Sequence, residues 1–163
     1  VHRFAKVGVA TAFETGQERA DTLLEALDEL EESGLRSVGV NFDPANMILY
    51  GMGDPAAAQR ALAPRVRQVH IKDALPASTP GEWGTEVPVG SGAVDWPRFL
   101  AAVRELPRPV DLVIEREAGD AREADIAHAA EMLRSQAGAG LWPARVDAPC
   151  ASNLASRTAA CRA

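Results

Sequence analysis

The chain has 163 residues, of which 47% are hydrophobic and 25% charged, the balance of an ordinary globular domain, and its net charge is -6. This acidic balance excludes the basic surface on which binding to nucleic acid or an anionic membrane depends. No apolar run is nearly long enough to span a membrane, and the start of the sequence lacks the pattern of a signal peptide. Two cysteines, Cys150 and Cys161, are too few for a disulfide framework, so we expect a cytoplasmic protein. From the charge and the lack of a long apolar run we expect no nucleic-acid or membrane partner.

The first predicted strand is the apolar run at 7–13, which ends at Glu14. Thr15 and Glu18 follow with the spacing of a capping box, in which a Thr side chain and a Glu side chain satisfy the free amides of a helix start. Leucines at helical spacing then predict a helix that ends near Gly34, because glycine favours the left-handed backbone of helix C-termini.

Two further units repeat this order of strand and helix. The second predicted strand, 38–42, ends at Asp43, and Asp54 then opens a short alanine-rich helix with a proline at its first position. The third strand, 66–69, ends at His70. Each strand therefore stops at a polar residue that can bind a metal ion.

A long loop rich in glycine, proline, serine and threonine runs from the third strand to Asp95, which is placed to cap the next helix. The fourth predicted strand, 110–114, ends at Glu115, and a last helix follows it. Strands that alternate with helices predict a parallel sheet with helices packed on it, so the fold class is α/β.

The composition changes near the end of the chain. Residues 1–137 carry all the periodic segments, whereas 138–163 are rich in small residues, proline and arginine and have no periodicity. We therefore expect one α/β domain followed by a disordered or loosely attached tail.

The four strand ends are expected to form a metal site, because the C-terminal ends of parallel barrel strands meet at one face. Each residue alone could be a helix cap, a loop residue or a hydrogen-bonded core histidine, but the repetition in four units favours a shared role. Three carboxylates and one imidazole favour Mn²⁺, Co²⁺ or Mg²⁺ over Zn²⁺. The candidate ligands are Glu14, Asp43, His70 and Glu115, with Glu117 as the next candidate.

Five segments resemble the signature segments of the xylose isomerase-like sugar phosphate isomerases and epimerases, over about residues 7–135. They are Glu-Thr-Gly-Gln-Glu at 14–18, Asn-Phe-Asp-Pro-Ala-Asn at 41–46, His-Ile-Lys-Asp at 70–73, Pro-Val-Gly-Ser-Gly-Ala-Val-Asp-Trp at 88–96 and Ile-Glu-Arg-Glu at 114–117. The resemblance implies the C-terminal half of a (β/α)8 TIM barrel, with four β/α units and parallel strands. It also implies that the four strand-end residues bind one catalytic divalent metal ion.

The resemblance implies a metal-dependent isomerase or epimerase that acts on a sugar or a sugar phosphate. In that family the metal polarises a carbonyl and stabilises the enediolate that forms when a carboxylate removes the neighbouring proton. By analogy, Glu14 and Glu115 are the acid and base. Three residues are candidate substrate contacts with ordinary alternatives: Asn46 (a turn residue), Lys72 (a solvated lysine) and Trp83 (a loop anchor).

Two other functions stay open on the sequence. A non-catalytic truncated remnant, or an interaction module, would differ from the enzyme by lacking metal affinity. An apurinic endonuclease of the three-zinc type shares the Glu and Asp segments, but it carries a histidine where Asn46 stands and an Asp-x-His that this sequence lacks. The negative net charge also disfavours DNA as a partner.

The sequence supplies four strands, whereas a closed barrel of this type has eight. We therefore expect a fragment whose N-terminal half belongs to a longer protein, with pairing of two copies as the alternative. We also expect the strand edges to face solvent or a second copy, and the inner face of the sheet to be lined by valine, phenylalanine and isoleucine.

Overall fold

The computed structural model describes residues 1–136, so the tail predicted at 138–163 lies outside the described residues. Up to Met132 the chain forms one compact unit, which contains every candidate site residue. None of the helices described is both long enough and apolar enough to cross a membrane.

Twelve elements follow one another along the described chain. The helices are α1 (His2–Lys6), α2 (Ala20–Glu32), α3 (Pro44–Leu49), α4 (Pro55–Leu62), α5 (Trp96–Arg104) and α6 (Arg122–Gln136). The strands are β1 (Thr11–Glu14), β2 (Val38–Phe42), β3 (Val66–Ile71), β4 (Asp73–Leu75), β5 (Thr85–Val87) and β6 (Asp111–Ile114).

Four strands form a parallel sheet in the order β1-β2-β3-β6. This arrangement confirms the predicted α/β half-barrel, since the four strands of the sheet lie side by side in chain order and helical segments lie between them. The long loop after β3 differs from the prediction, because it contains an antiparallel hairpin of β4 and β5. Each of these strands has only three residues, which is too short for a period of two to be recognised.

The helix ends follow the sequence signals in three places and depart from them in one. The side chains of Asp54 and Asp95 cap α4 and α5, and Gly34 follows α2 with φ +91°. The capping box at Thr15 is wrong, because α2 begins at Ala20 without a side-chain cap. The Thr15 hydroxyl is buried and bonds the backbone of the second strand end instead.

The apolar side chains of the strands pack toward the helices and form the core. Phe42 of β2 stacks on Phe99 of α5 with ring centroids 5.8 Å apart, and Trp96 contacts Phe99 edge to face. The helices contribute leucines, including Leu27 and Leu62, that are almost fully buried. Each such side chain contributes about 1.5–3 kcal/mol when it leaves water, so this layer accounts for much of the stability.

The inner face of the sheet carries mostly small and polar residues, so the predicted lining of valine, phenylalanine and isoleucine is wrong except at Val113. Because side chains alternate along a strand, the residues two positions before the strand-end ligands share their face. A Cβ on Gly39 would collide with the side chain of Arg67, which therefore lies over this face. The residues on this face are Ala12, Gly39, Asn41, Arg67, Gln68, Asp111 and Val113. Val113 is the one large apolar residue among them, because the core beneath the helices uses the others.

The two outer strands carry exposed apolar groups. Phe13 of β1 is 38% exposed and Val113 of β6 is 37% exposed, and both strands have one unpaired edge in the four-stranded sheet. Other large apolar side chains are exposed as well, among them Phe4, Val7, Val9 and Ile126. The described chain thus presents apolar surface at both edges, where a closed barrel would continue.

We predict that the chain alone self-associates and binds a hydrophobic dye through these edges. Replacing Phe13 and Val113 by threonine, which retains a high strand propensity, is expected to lower both signals, because it removes apolar surface from each edge. Leu75→Thr is the matched control, since Leu75 is 44% exposed on the β4–β5 hairpin. Sedimentation over a range of concentrations and dye fluorescence test this. A dye-silent monomer at all concentrations would contradict it.

Candidate metal centre

The four predicted strand-end residues converge at one end of the sheet. Glu14 ends β1, Asp43 follows β2, His70 lies near the end of β3 and Glu115 follows β6. One ligand atom from each lies within 4.8 Å of all the others. His70 Nδ1 lies 2.9 Å from Glu115 Oε2, 3.5 Å from Asp43 Oδ2 and 3.7 Å from Glu14 Oε1. The predicted convergence is confirmed, and the binding of a metal by these atoms stays a prediction.

Two buried atoms in this cluster lack hydrogen-bond partners. Asp43 is fully buried, and its Oδ1 accepts from the amides of Ala45 and Asn46, which leaves Oδ2 without a partner. His70 Nδ1 also makes no hydrogen bond, although Glu115 Oε2 is close. A buried polar atom without a partner costs about 1–3 kcal/mol. A cation bound between these atoms would satisfy both, and three carboxylate oxygens with one imidazole nitrogen suit a divalent ion.

Burial and closely spaced charges in the cluster raise the pKa values of Glu14 and His70. Burial raises the pKa of Glu14, and the carboxylates of Asp43 and Glu115 add to this against the opposing effect of His70. Interaction with Asp43 is the main cause that raises the pKa of His70, in spite of its burial. A bound cation would oppose both shifts, because it binds the deprotonated forms of these side chains.

Lys72 belongs to this cluster and is not the solvated lysine of the alternative interpretation. It is only 3% exposed, and its Nζ lies 2.6 Å from Glu117 Oε2 and 3.3 Å from Glu115 Oε2. Burial lowers the pKa of Lys72, but the hydrogen bond to Glu117 and the nearby carboxylates outweigh it, so the net shift is upward. Lys72 thus supplies a fixed positive charge. Glu117, the next candidate ligand, faces this lysine and is not one of the four converging residues.

The other two candidate substrate contacts have different surroundings. Asn46 is buried, and its Nδ2 donates to Glu14 Oε1 at 3.1 Å and to the Thr15 carbonyl at 2.9 Å, so it orients Glu14. Trp83 is 67% exposed in the hairpin loop and contacts Tyr50 edge to face, with ring centroids 5.3 Å apart. The position of Trp83 agrees with the loop-anchor alternative, and its contact with a substrate stays a prediction.

Asp73 is an organising residue that the sequence interpretation missed. Its buried carboxylate accepts five hydrogen bonds, which come from the indole of Trp96 and from the amides of Ala74, Gly90, Gly92 and Val94. A Cβ at Gly92 would collide with this carboxylate, so only glycine allows the loop to approach it. The sequence signal for this contact was an acidic residue just past a strand, followed later by a Gly-x-Gly segment whose amides can approach a carboxylate.

A second missed element is a buried ion-pair network that fixes the hairpin beside the site. Arg116 donates to Glu86 Oε1 at 2.7 Å and to Asp125 Oδ2 at 2.8 Å. Glu86 on β5 also accepts from the amide of Glu117, just past the end of β6. The network connects the hairpin, the end of β6 and the start of α6 next to Glu115. Sequence reasoning missed it, because Glu86 and Arg116 lie 30 residues apart and no motif connects them.

The family pattern described as the xylose isomerase-like TIM barrel matches residues 2–136 of this chain. An uncharacterized protein of Escherichia coli K12, YihM, is 40% identical over 82 residues, which is 50% of this chain and 24% of that protein. A xylose isomerase domain protein from Planctomyces limnophilus is also 40% identical, with a TM-score of 0.74 over 83% of this chain and 50% of that one. The chain thus spans about a quarter of the first relative and half of the second.

More distant solved structures share the fold alone, since their identity is 18%. A xylose isomerase-like TIM-barrel protein from Mycobacterium smegmatis, solved with magnesium, gives a TM-score of 0.61 over 81% of this chain and 45% of that one. D-allulose 3-epimerase from Methylomonas, solved with D-allulose, gives 0.54 over 78% of this chain and 48% of that one.

We predict that Asp73→Asn destabilises the chain by roughly 3 kcal/mol, because it removes charge from a hydrogen-bonded acceptor and turns an amino group toward backbone donors. Urea unfolding followed by circular dichroism measures the change. Asp111→Asn is the matched control, since Asp111 is exposed at the start of β6, and a change within about 0.5 kcal/mol is expected there. Equal stabilities of the two variants would refute the organising role of Asp73.

Proposed function

Because the chain belongs to the xylose isomerase-like TIM-barrel family, we propose that its four strand-end residues hold one divalent cation in a sugar or sugar phosphate isomerase or epimerase. The observation that carries this proposal is the pair of buried, partnerless atoms, Asp43 Oδ2 and His70 Nδ1, at the centre of the converging ligands. Mn²⁺, Co²⁺ or Mg²⁺ suits this oxygen-rich set better than Zn²⁺.

The cation would polarise a carbonyl oxygen of the substrate and make the neighbouring C–H more acidic. The chain's own contribution is to position the groups that move this proton. Glu14 and Glu115 come from the two outer strands of the sheet, so they flank the centre from opposite sides. Their side chains are 44% and 28% exposed, whereas that of Asp43 is fully buried. The outer pair is therefore accessible to a substrate and the inner pair is not.

Glu14 and Glu115 are thus the proposed acid and base, one on each side of the reacting carbon. Asn46 holds Glu14 by a hydrogen bond, and Lys72 balances the negative charge near Glu115. Return of the proton to the opposite face gives epimerisation, and its return to the adjacent carbon gives isomerisation.

The substrate class follows from this chemistry and from the relatives. A small polyhydroxylated carbonyl compound presents the adjacent oxygens that such a centre handles, and the Methylomonas relative was solved with the ketose D-allulose. Lys72, Asn46 and Trp83 remain proposed substrate contacts. Of the three, Lys72 is buried against the cluster and paired with Glu117, so a substrate oxygen would have to share it.

We also propose that other strands complete the barrel. The chain covers half of the Planctomyces limnophilus structure, and its outer strands expose apolar groups. An N-terminal half from a longer protein is the proposed source, and a second copy of this chain is the alternative that sedimentation would reveal. The proposed cluster lies within this half, so cation binding is expected from the chain alone, and turnover only from the completed barrel.

We predict that His70→Ala and Glu115→Gln each weaken the binding of Mn²⁺ at least about tenfold, because each removes a direct ligand. Titration calorimetry on the 163-residue chain measures the affinity. His128→Ala and Glu123→Gln are matched controls on the exposed surface of α6 and are expected to bind as the unchanged chain does. Wild-type affinity in both site variants would place the metal elsewhere, and absence of binding in the unchanged chain would favour a non-catalytic remnant.

The proposed reaction has a separate test in a completed barrel. Fusing the N-terminal half of the Planctomyces limnophilus protein to this chain provides one, since the two proteins are 40% identical over their shared part. With Mn²⁺ in D₂O, we expect this fusion to exchange the C3 proton of a ketohexose for deuterium. Glu115→Gln is expected to lower the rate about 10²–10⁴-fold, the usual contribution of a general acid–base group.

Proton NMR of the sugar follows the exchange. The fusion with Glu123→Gln is the control, because it changes the same residue type on the exposed surface of α6. A folded, Mn²⁺-loaded fusion that exchanges no proton in a panel of ketoses and ketose phosphates would contradict the proposed activity.

A further inference from the structure

His70 contacts the side chain of Asn41 on the neighbouring strand. Asn41 lies in β2 two residues before Asp43, and its Nδ2 is 3.0 Å from His70 Nε2. An amide nitrogen donates hydrogen bonds and cannot accept them, so Nε2 must be the acceptor in this arrangement. A neutral imidazole that accepts at Nε2 carries its proton on Nδ1, the atom that faces the carboxylates.

This tautomer turns the Nδ1 proton toward the carboxylates and conflicts with a bound cation. Nδ1 can bind a cation only through its lone pair, so the proton must then lie on Nε2. The Nε2–H would point at the amino group of Asn41, and two donors would face each other. Rotating the Asn41 amide by half a turn exchanges its amino group for its carbonyl oxygen, which occupies nearly the same space and can accept this proton.

Two buried atoms without hydrogen bonds support this rotation of the Asn41 amide. Asn41 Oδ1 and His70 Nδ1 are both buried, and neither makes a hydrogen bond. Rotation of the amide together with cation binding would give both atoms a partner, since Oδ1 would accept from Nε2–H while Nδ1 binds the ion. The backbone of Asn41 is fixed, because its carbonyl accepts a hydrogen bond from the Thr15 amide at 3.1 Å. The side-chain amide can therefore rotate without moving the strand.

We propose that Asn41 is a positioning residue that selects the tautomer of His70, with its amino group toward Nε2 in the metal-free chain and its carbonyl toward Nε2–H in the metal-bound chain. This inference rests on the proposed metal centre. An amide suits the role because it offers both a donor and an acceptor. Aspartate retains only the acceptor, and leucine of similar shape retains neither.

The direct test is the position of the proton on the imidazole. The chain has three histidines, so long-range ¹H–¹⁵N correlation spectra resolve the His70 ring. In the full chain, with the imidazole neutral, we expect the proton on Nδ1 without metal and on Nε2 after addition of Mg²⁺ alone. A proton on the same nitrogen in both samples, under saturating Mg²⁺, would overturn the inference.

The second test is the affinity for Mn²⁺ alone, measured by calorimetry. Asn41→Leu is expected to weaken binding about 10–100-fold, the usual effect of losing the hydrogen bond behind a ligating histidine. Asn41→Asp is expected to bind at least as tightly as wild type, because its oxygen accepts from Nε2–H. Gln68→Leu is the matched control: Gln68 pairs with Asn41 on the same sheet face, and no change is expected.

The outcomes separate the two proposals. If wild type binds Mn²⁺ and Glu115→Gln binds it at least about tenfold more weakly, the metal centre stands. An Asn41→Leu affinity within about twofold of wild type then overturns the role of Asn41 alone. An equal loss in Gln68→Leu and Asn41→Leu also overturns it, since disturbance of the sheet would then explain the effect. If wild type binds no Mn²⁺, both proposals fall. Circular dichroism of each variant verifies that it is folded.

Discussion

The buried carboxylate of Asp43 is the constraint on which the rest of the site depends. Its Oδ1 caps α3 through two backbone amides, and the hydroxyl of Thr15 bonds both its amide and its carbonyl. These contacts fix the side chain so that Oδ2 points into the cluster, where it has no hydrogen bond. A buried negative charge is unfavourable unless a positive charge lies close to it. Lys72, 3.8 Å away, and His70 compensate it in part, and a divalent cation would complete the compensation.

The two buried aspartates, Asp43 and Asp73, differ in how many of their carboxylate oxygens are hydrogen-bonded. Asp73 has both oxygens fully engaged with the loop that leads into α5, so its charge is used to hold backbone in place. Asp43 has one oxygen engaged in the same way and one left over. Both residues follow a strand end closely in sequence. The difference between an organising carboxylate and a candidate ligand is therefore the single unsatisfied atom.

The sequence predicted the parts of the fold that depend on local order along the chain. The sequence predicts four strands because strand, ligand and helix follow one another directly along the chain. The ligands at or near the strand ends are Glu14, Asp43, His70 and Glu115. The strand order follows from the same alternation. Convergence of the four side chains then needs only the rule that parallel strands end at one face.

The parts that escaped prediction depend on contacts between distant residues. The spacing of Thr15 and Glu18 is that of a capping box, but the Thr15 hydroxyl gains two bonds to Asp43, 28 residues away. The hydrogen bond of Lys72 in the same way joins distant residues, because its partner Glu117 is 45 residues away. The polar inner face also escaped prediction, because apolar residues in strands do not reveal which of the two faces they occupy.

The central claim is that the four strand-end residues bind one divalent cation, and anomalous diffraction from crystals of the chain grown with Mn²⁺ tests it most directly. We expect a single strong anomalous peak about 2.0–2.3 Å from a carboxylate oxygen of Glu14, Asp43 and Glu115 and from Nδ1 of His70. A map in which this position is empty, or in which Mn²⁺ binds other residues while these four side chains contact only one another, would contradict it.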